Sequence, residues 1–369
     1  MNCMDQVITD QYAAYHGDAV EVFKGLPDRS VGYSIFSPPF ASLYVYSNSP
    51  RDMGNVRSDE EFFEHFEFLI PELKRVLKPG RNVSFHCMLM PSSKTRDGVI
   101  GLKDFRGDLI RAFQGHEAAE LHAAMLHLQR RADRALLAGD AARASRLDGV
   151  WQVMQEDLQA HPANDYGFTF HSEVVIWKDP VTAMQRTKAL GLLHKTVREN
   201  AAMSRQGIPD YLVTMRAPGE SDRVIHYRDD DELWSKVPQP TALDRSQIYS
   251  VDQWQKVASP VWMDIDPSDT LQYRSARDHD DERHIAPLQL EVIRRGIALW
   301  SNPGDVVATP FGGIGSEGYL AVEMGRRAVL AELKASYFKQ LTANMAAAVS
   351  AKQGGLFAAL EAEEEAEAA

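Results

Sequence analysis

The chain has 369 residues, 44% of them hydrophobic and 25% charged, a globular balance large enough for two domains or one decorated domain. Its net charge of −12 argues against a protein that coats nucleic acid without specificity, although it leaves room for a local basic cleft. No run approaches the ~18 apolar residues of a membrane helix, the start MNCMDQVITDQ is unlike a signal peptide, and Cys3 and Cys87 make no disulfide framework, so a reducing, cytoplasmic setting is expected.

In chain order, Ala19–Lys24 reads as a short helix, and Val31–Phe36 as a buried strand. The strand ends in Ser37-Pro38-Pro39-Phe40. Proline lacks an N–H and pushes the residue before it into an extended conformation, so this is a stiff, kinked exit. The carboxyl end of a strand is where open α/β sheets keep their chemistry. Residues 59–78 place Phe62, Phe66, Leu69, Leu73 and Val76 at helical spacing, with acids in the first turn. NVSFHCML is the next buried strand.

Residues 115–163 are rich in Ala, Leu and Arg, broken once at Gly139-Asp140, and read as a helical hairpin. His116, His122 and His127 do not share a helical face well, and no acid or cysteine completes a metal site, so no metal is expected. YGFTFHSEVVIWKDP returns to strand composition. Residues 181–280 look irregular and loop-rich. Within them Arg186, Lys188, Lys195, Arg198 and Arg205 form a basic island, followed by Arg216. APLQLEVIRRGIALW is a helix, NPGDVVA a turn and strand, YLAVEMG a helix, RRAVLAE a strand and SYFKQLTANMAAAVSAK a last helix. Five glutamates in Glu361–Ala369 suggest a flexible acidic tail.

The loop TPFGGIGSEG carries Gly313-Ile-Gly315-Ser-Glu-Gly318, a G-x-G-x-x-G between strand and helix, and Glu332 ends the next strand. Glycines let such a loop approach a ligand, and the acid can bind ribose hydroxyls. The pattern points to an adenosine-bearing cofactor, either NAD or S-adenosylmethionine.

Three stretches in order resemble a known family. SPPF (Ser37–Phe40) is similar to the [D/N/S]-P-P-[Y/F/W] catalytic motif of DNA amino-methyltransferases. PFGGIG (Pro310–Gly315) is similar to their F-x-G-x-G cofactor motif. HIAPLQ (His284–Gln289) resembles the segment that closes over the cofactor's methionine part. The order is that of the β group, and the wider wording resembles phage- and prophage-type DNA methylases over most of residues 15–345. The resemblance implies a Rossmann-like α/β sheet with helices on both faces, carrying a helical insertion and an irregular target-recognition region. It implies S-adenosylmethionine as cofactor, held by His284, Pro287, Leu288, Gln289, Thr309, Pro310, Phe311, Gly313, Gly315, Ser316 and Glu332, and double-stranded DNA as partner, met by the basic island. Thr309 departs from the family, which usually has an acid there.

On this reading residues 1–114 are the catalytic half, 115–163 the insertion, 164–180 a returning strand, 181–280 the DNA-binding region, 281–350 the cofactor half and 351–369 the tail. Ser37 Oγ and the Pro38 carbonyl would accept the two N–H bonds of an exocyclic amino group, and Phe40 would stack on the base. Cytosine C5 methylation needs a Pro-Cys pair, which neither cysteine makes. Serine at position 37, as the resemblance implies, leans toward N4 of cytosine over N6 of adenine. An NAD-linked oxidoreductase and an inactive DNA-binding module are the alternatives from other classes. Finally, Gln353, Leu356 and Phe357 match the Q-x-x-L-F peptide by which bacterial DNA enzymes bind the sliding clamp.

Overall fold

A computed structural model of the chain describes residues 2–40, 52–56, 58–92, 98–99, 101–160, 167–187, 189–221, 223–225, 254–272, 276 and 287–367. Its strands are β1 (Asp5–Ile8), β2 (Tyr12–His16), β3 (Tyr33–Phe36), β4 (Asn82–Met88), β5 (Met90–Ser92), β6 (Gly101–Lys103), β7 (Thr169–Ile176), β8 (Asp210–Arg216), β9 (Val261–Trp262), β10 (Val306–Thr309) and β11 (Arg327–Glu332). Nine of them form one sheet in the order β1-β2-β11-β10-β3-β4-β8-β7-β9, and β5 pairs with β6 alone.

The run β2-β11-β10-β3-β4 is parallel throughout. Parallel strands need both faces covered, and β3 shows why its sequence suits that place. All four of its residues are buried. Tyr33 and Ile35 point into one apolar layer, with Ile293, Ile297, Leu320 and Leu341. Phe36 points into the other, with Phe62, Phe66, Phe85 and Phe113. Buried hydroxyls are satisfied across strands: Ser34 Oγ donates to the Ala308 carbonyl at 2.8 Å, and Ser84 and Thr214 share a bond of 2.8 Å.

From β3 the chain crosses to β4 on one side, and from β10 it crosses to β11 on the other. β3 and β10 are themselves neighbours, with Val307 opposite Tyr33. Their carboxyl ends therefore flank a topological switch point, where open α/β sheets form a crevice.

Four stretches differ from the sequence reading. The helix expected over 59–78 is two, Asp59–Phe66 and Leu69–Val76. Pro71 cannot donate to the carbonyl of residue 67, and its ring crowds it, so the break falls at Glu67-Phe68. Residues 181–280 are only partly irregular. Asp210–Arg216 is an inner strand, antiparallel to both β4 and β7. Its alternation is hidden because both faces are covered; four consecutive residues, Leu212–Met215, sit at 1% exposure or less. The β1–β2 hairpin has no counterpart in the sequence reading. The last helix runs from Ala335 to Glu367, so residues 351–367 of the stretch read as a tail are helical backbone here, in keeping with their Ala and Glu content.

The stretch read as an insertion forms the expected hairpin, His116–Leu137 and Ala141–Ala160, turning at Gly139 with φ of 77°. Asp140 caps its second helix by accepting from the Arg143 N–H at 3.0 Å. Among the described residues no helix is long and apolar enough to cross a membrane.

Candidate active site

Two groups of residues meet at the crevice. The first follows β10. Thr309 ends the strand at 1% exposure, and the chain then turns through Pro310, Phe311 and the glycines into the Ser316–Glu323 helix. Gly315 has φ of 91°, a left-handed conformation that a side chain resists. Gly313, with φ of 52°, has nothing within 4 Å of where a Cβ would stand, so the loop's backbone faces open space there. Glu332, at the end of β11, fastens the loop. Its Oε2 accepts from the Gly313 N–H at 2.7 Å and its Oε1 from the Lys334 N–H at 2.8 Å. Burial raises the Glu332 carboxyl to about 7, against the pull of those two N–H bonds, and Asp52 nearby adds to the rise. Glu317, in the first turn of the helix, is raised by burial to about 8.

The residues of this half fit an adenosine-bearing cofactor. Thr309 Oγ1 and Ser316 Oγ are buried without hydrogen-bond partners, a costly state that a ligand would relieve. Each Glu332 oxygen keeps a second lone pair for a ribose hydroxyl. Pro287, Leu288 and Gln289 lead into the Leu290–Trp300 helix, Leu288 lies in the apolar layer with Leu320 and Leu341, and Gln289 Oε1 is also unpartnered. His284 lies outside the described residues.

The second group follows β3. Pro38 is buried, while Ser37, Pro39 and Phe40 are partly so. Ser37 Oγ lies 3.1 Å from His86 Nδ1 on the neighbouring β4. His86 Nε2 lies 3.0 Å from Asp210 Oδ2 at the start of β8, a close contact whose N–H direction is bent away from the ideal line. Lys178 Nζ donates to Asp210 Oδ1 at 2.6 Å just past the end of β7. Strand register explains the convergence. Asp210 stands two places from Leu212, the partner of His86, so both side chains share a face. Burial alone would raise the Asp210 carboxyl; His86 and Lys178 outweigh it and hold the group below its usual range. The His86 ring also meets Phe40 edge-on at 6.1 Å. Cys87, the next residue on β4, is fully buried, and burial pushes its thiol well up, which makes it no nucleophile.

Phe311 joins the two halves. It packs edge-on against Phe36 at 5.6 Å and stacks with Phe66 at 6.4 Å. The cofactor loop and the serine platform are thus fixed to one aromatic layer.

Sequence reasoning missed His86, Asp210 and Lys178. The one signal available was a polar residue inside or at the end of an apolar strand, as in NVSFHCM and PDYLVTM. The basic island is spread over short helices. Arg186 lies on Pro180–Thr187, while Lys195 and Arg198 lie on His194–Glu199. Lys195 pairs with Glu199 at 3.6 Å on the exposed surface, a weak pair that leaves the cation available. Arg205 Nη1 donates to the Gln206 carbonyl at 3.1 Å, and Lys188 lies outside the described residues. The backbone of Gln353, Leu356 and Phe357 belongs to the last helix.

A parallel sheet with a glycine loop after one strand and a Pro-Pro platform after its neighbour is the framework of an S-adenosylmethionine-dependent methyltransferase. The structure is similar to a candidate DNA modification methylase of Thermus thermophilus, at 18% identity and a TM-score of 0.52, over 92% of this chain and 96% of that one. That protein has also been solved complexed with S-adenosyl-L-methionine, with a TM-score of 0.51 to the present chain. PvuII DNA methyltransferase, described as cytosine-N4-specific, aligns at 13% identity and a TM-score of 0.51, over 93% of this chain and 90% of that one. No curated protein matches the sequence. A family model described as DNA methylase, of the N6/N4 type, matches residues 33–343, and the chain belongs to that family.

Proposed function

We propose that the chain methylates an exocyclic amino group of a base flipped out of double-stranded DNA, N4 of cytosine in preference to N6 of adenine. S-adenosylmethionine, the cofactor of this class, supplies the electrophilic methyl group when bound. Thr309, Phe311, Gly313, Gly315, Ser316 and Glu332 would hold it, with Pro287, Leu288 and Gln289 closing one side. The uncharged Thr309 leaves the carboxylate work in this half to Glu332.

The observation that carries the reading is the placement of Ser37 after β3, held by His86, where the parallel neighbour β10 leads into the glycine loop. An amino nitrogen conjugated with its ring is a poor nucleophile, and two acceptors that hold its N–H bonds favour the tetrahedral geometry of the transition state. Ser37 Oγ and the Pro38 carbonyl are those acceptors, and the Pro-Pro unit keeps them in place without reorganisation. Phe40 offers a ring against which the flipped base can stack, offsetting part of the few kcal/mol that flipping costs. The rest of the barrier is a matter of alignment between sulfur, methyl and nitrogen. The preference for cytosine rests on serine at position 37.

Long-read sequencing of DNA from cells expressing the chain tests this reading. N4-methylcytosine at one short motif is expected. N6-methyladenine would move the target base within the family, and an unmodified genome would favour a DNA-binding module without catalysis.

A further inference from the structure

We propose that His86, Asp210 and Lys178 are positioning residues that lock the Ser37 hydroxyl as a hydrogen-bond acceptor toward the base, so that the site selects an amino group over a keto oxygen. The inference rests on the reading of Ser37 as the group that meets the base.

Asp210 is 3% exposed, and its carboxylate holds the ammonium of Lys178 2.6 Å from both oxygens. Oδ2 also faces His86 Nε2 at 3.0 Å. An ionised carboxylate only accepts, so the 3.0 Å approach favours a proton on Nε2, although its direction is bent from the ideal line. We take the ring as neutral; Nδ1 is then a lone pair, which also only accepts. Ser37 Oγ, 3.1 Å from Nδ1, therefore spends its single proton on His86. What remains for the base is a pair of lone pairs. These match the N–H bonds of cytosine N4 or adenine N6 and oppose the lone pairs of thymine O4 or guanine O6. The His86 side chain is only 12% exposed, so water competes little for either nitrogen. The same ring sets the edge of Phe40, so one side chain orients both the acceptor and the stacking wall.

The chain makes two measurements decisive. Nitrogen-15 spectra of the histidine-labelled protein, with His86 assigned by difference against His86→Phe, should show the Nε2–H tautomer. The Nδ1–H tautomer, or an imidazolium protonated on both nitrogens, would overturn the proposal, and this readout needs no methyl transfer. The second is a double-variant cycle on single-turnover methylation of whole-genome-amplified DNA. His86→Phe keeps a ring but offers no acceptor, and should slow transfer about 100-fold with cofactor affinity unchanged. His86→Asn, which keeps an acceptor near Nδ1, should recover part of that loss. His86→Phe added to Ser37→Ala should cost little more than Ser37→Ala alone, because the histidine acts through the serine. Fully additive losses would overturn the relay. If the wild-type chain transfers no methyl group, the proposed function falls, and the tautomer spectrum still decides the relay.

Discussion

The two halves of the crevice are built by opposite means. The cofactor half is a backbone device: left-handed glycines, a helix start and a carboxylate that accepts two peptide N–H groups, all within residues 309–334. The base-facing half is a side-chain device, assembled from β3, β4, β8 and the end of β7, with Ser37 and Asp210 brought together from far apart in the chain. A backbone device tolerates changes in surrounding side chains but not in its glycines. A side-chain relay fails when any one member loses its partner.

The largest expected effect strikes the relay's end. Ser37→Ala should lower methyl transfer by a few kcal/mol of barrier, about 100-fold or more, with fold and S-adenosylmethionine affinity unchanged. Wild-type turnover in that variant would remove the base-facing half from the mechanism.

Next come the buried carboxyls beside the glycine loop. The folded chain holds the Glu317 proton up to about pH 8, whereas an ordinary glutamate releases it near 4.5. The folded state thus binds the extra proton between those values, and stability falls as pH rises through that window. Glu332 acts the same way up to about 7. Glu317→Gln should therefore flatten the fall in thermal midpoint between pH 7 and 8, leaving the Glu332 part below it. The gain at pH 9 should be a few kcal/mol, below the ceiling of about 5 kcal/mol that a rise from 4.5 to about 8 sets at about 1.4 kcal/mol per pKa unit. An unchanged profile would mean that Glu317 is ionised in the folded chain.

Gly315→Ala forces a side chain into φ of 91° and brings its Cβ to 3.2 Å from Leu341 Cγ. A cost of about 1–2 kcal/mol in urea unfolding is expected, together with weaker cofactor binding by calorimetry. Full affinity would show that the loop need not hold this conformation. The smallest effect belongs to the basic surface proposed to face DNA. Replacing Arg186 and Lys195 together should reduce the salt slope of DNA binding by about 2 if both meet phosphate. An unchanged slope would place both on the solvated surface.

The same contrast explains what could be read from the chain. The glycine loop, Glu332 and SPPF are contiguous words whose spacing carries their chemistry, and β3, β4, β7, β10 and β11 follow as apolar runs bounded by turn residues. β8 escaped because an inner strand covered on both faces shows no alternation, and because it sits among loop-rich neighbours. His86 and Asp210 escaped because register across three strands, rather than spacing along one, makes them neighbours. Pro71 split a helix whose apolar stripe continues across the break.

The most direct measurement of the central claim is nucleoside mass spectrometry of whole-genome-amplified DNA after incubation with the purified chain and labelled S-adenosylmethionine. The wild type should yield N4-methylcytosine, and Ser37→Ala should yield almost none. Methyl label on C5 of cytosine, or equal product from both proteins, would contradict the account.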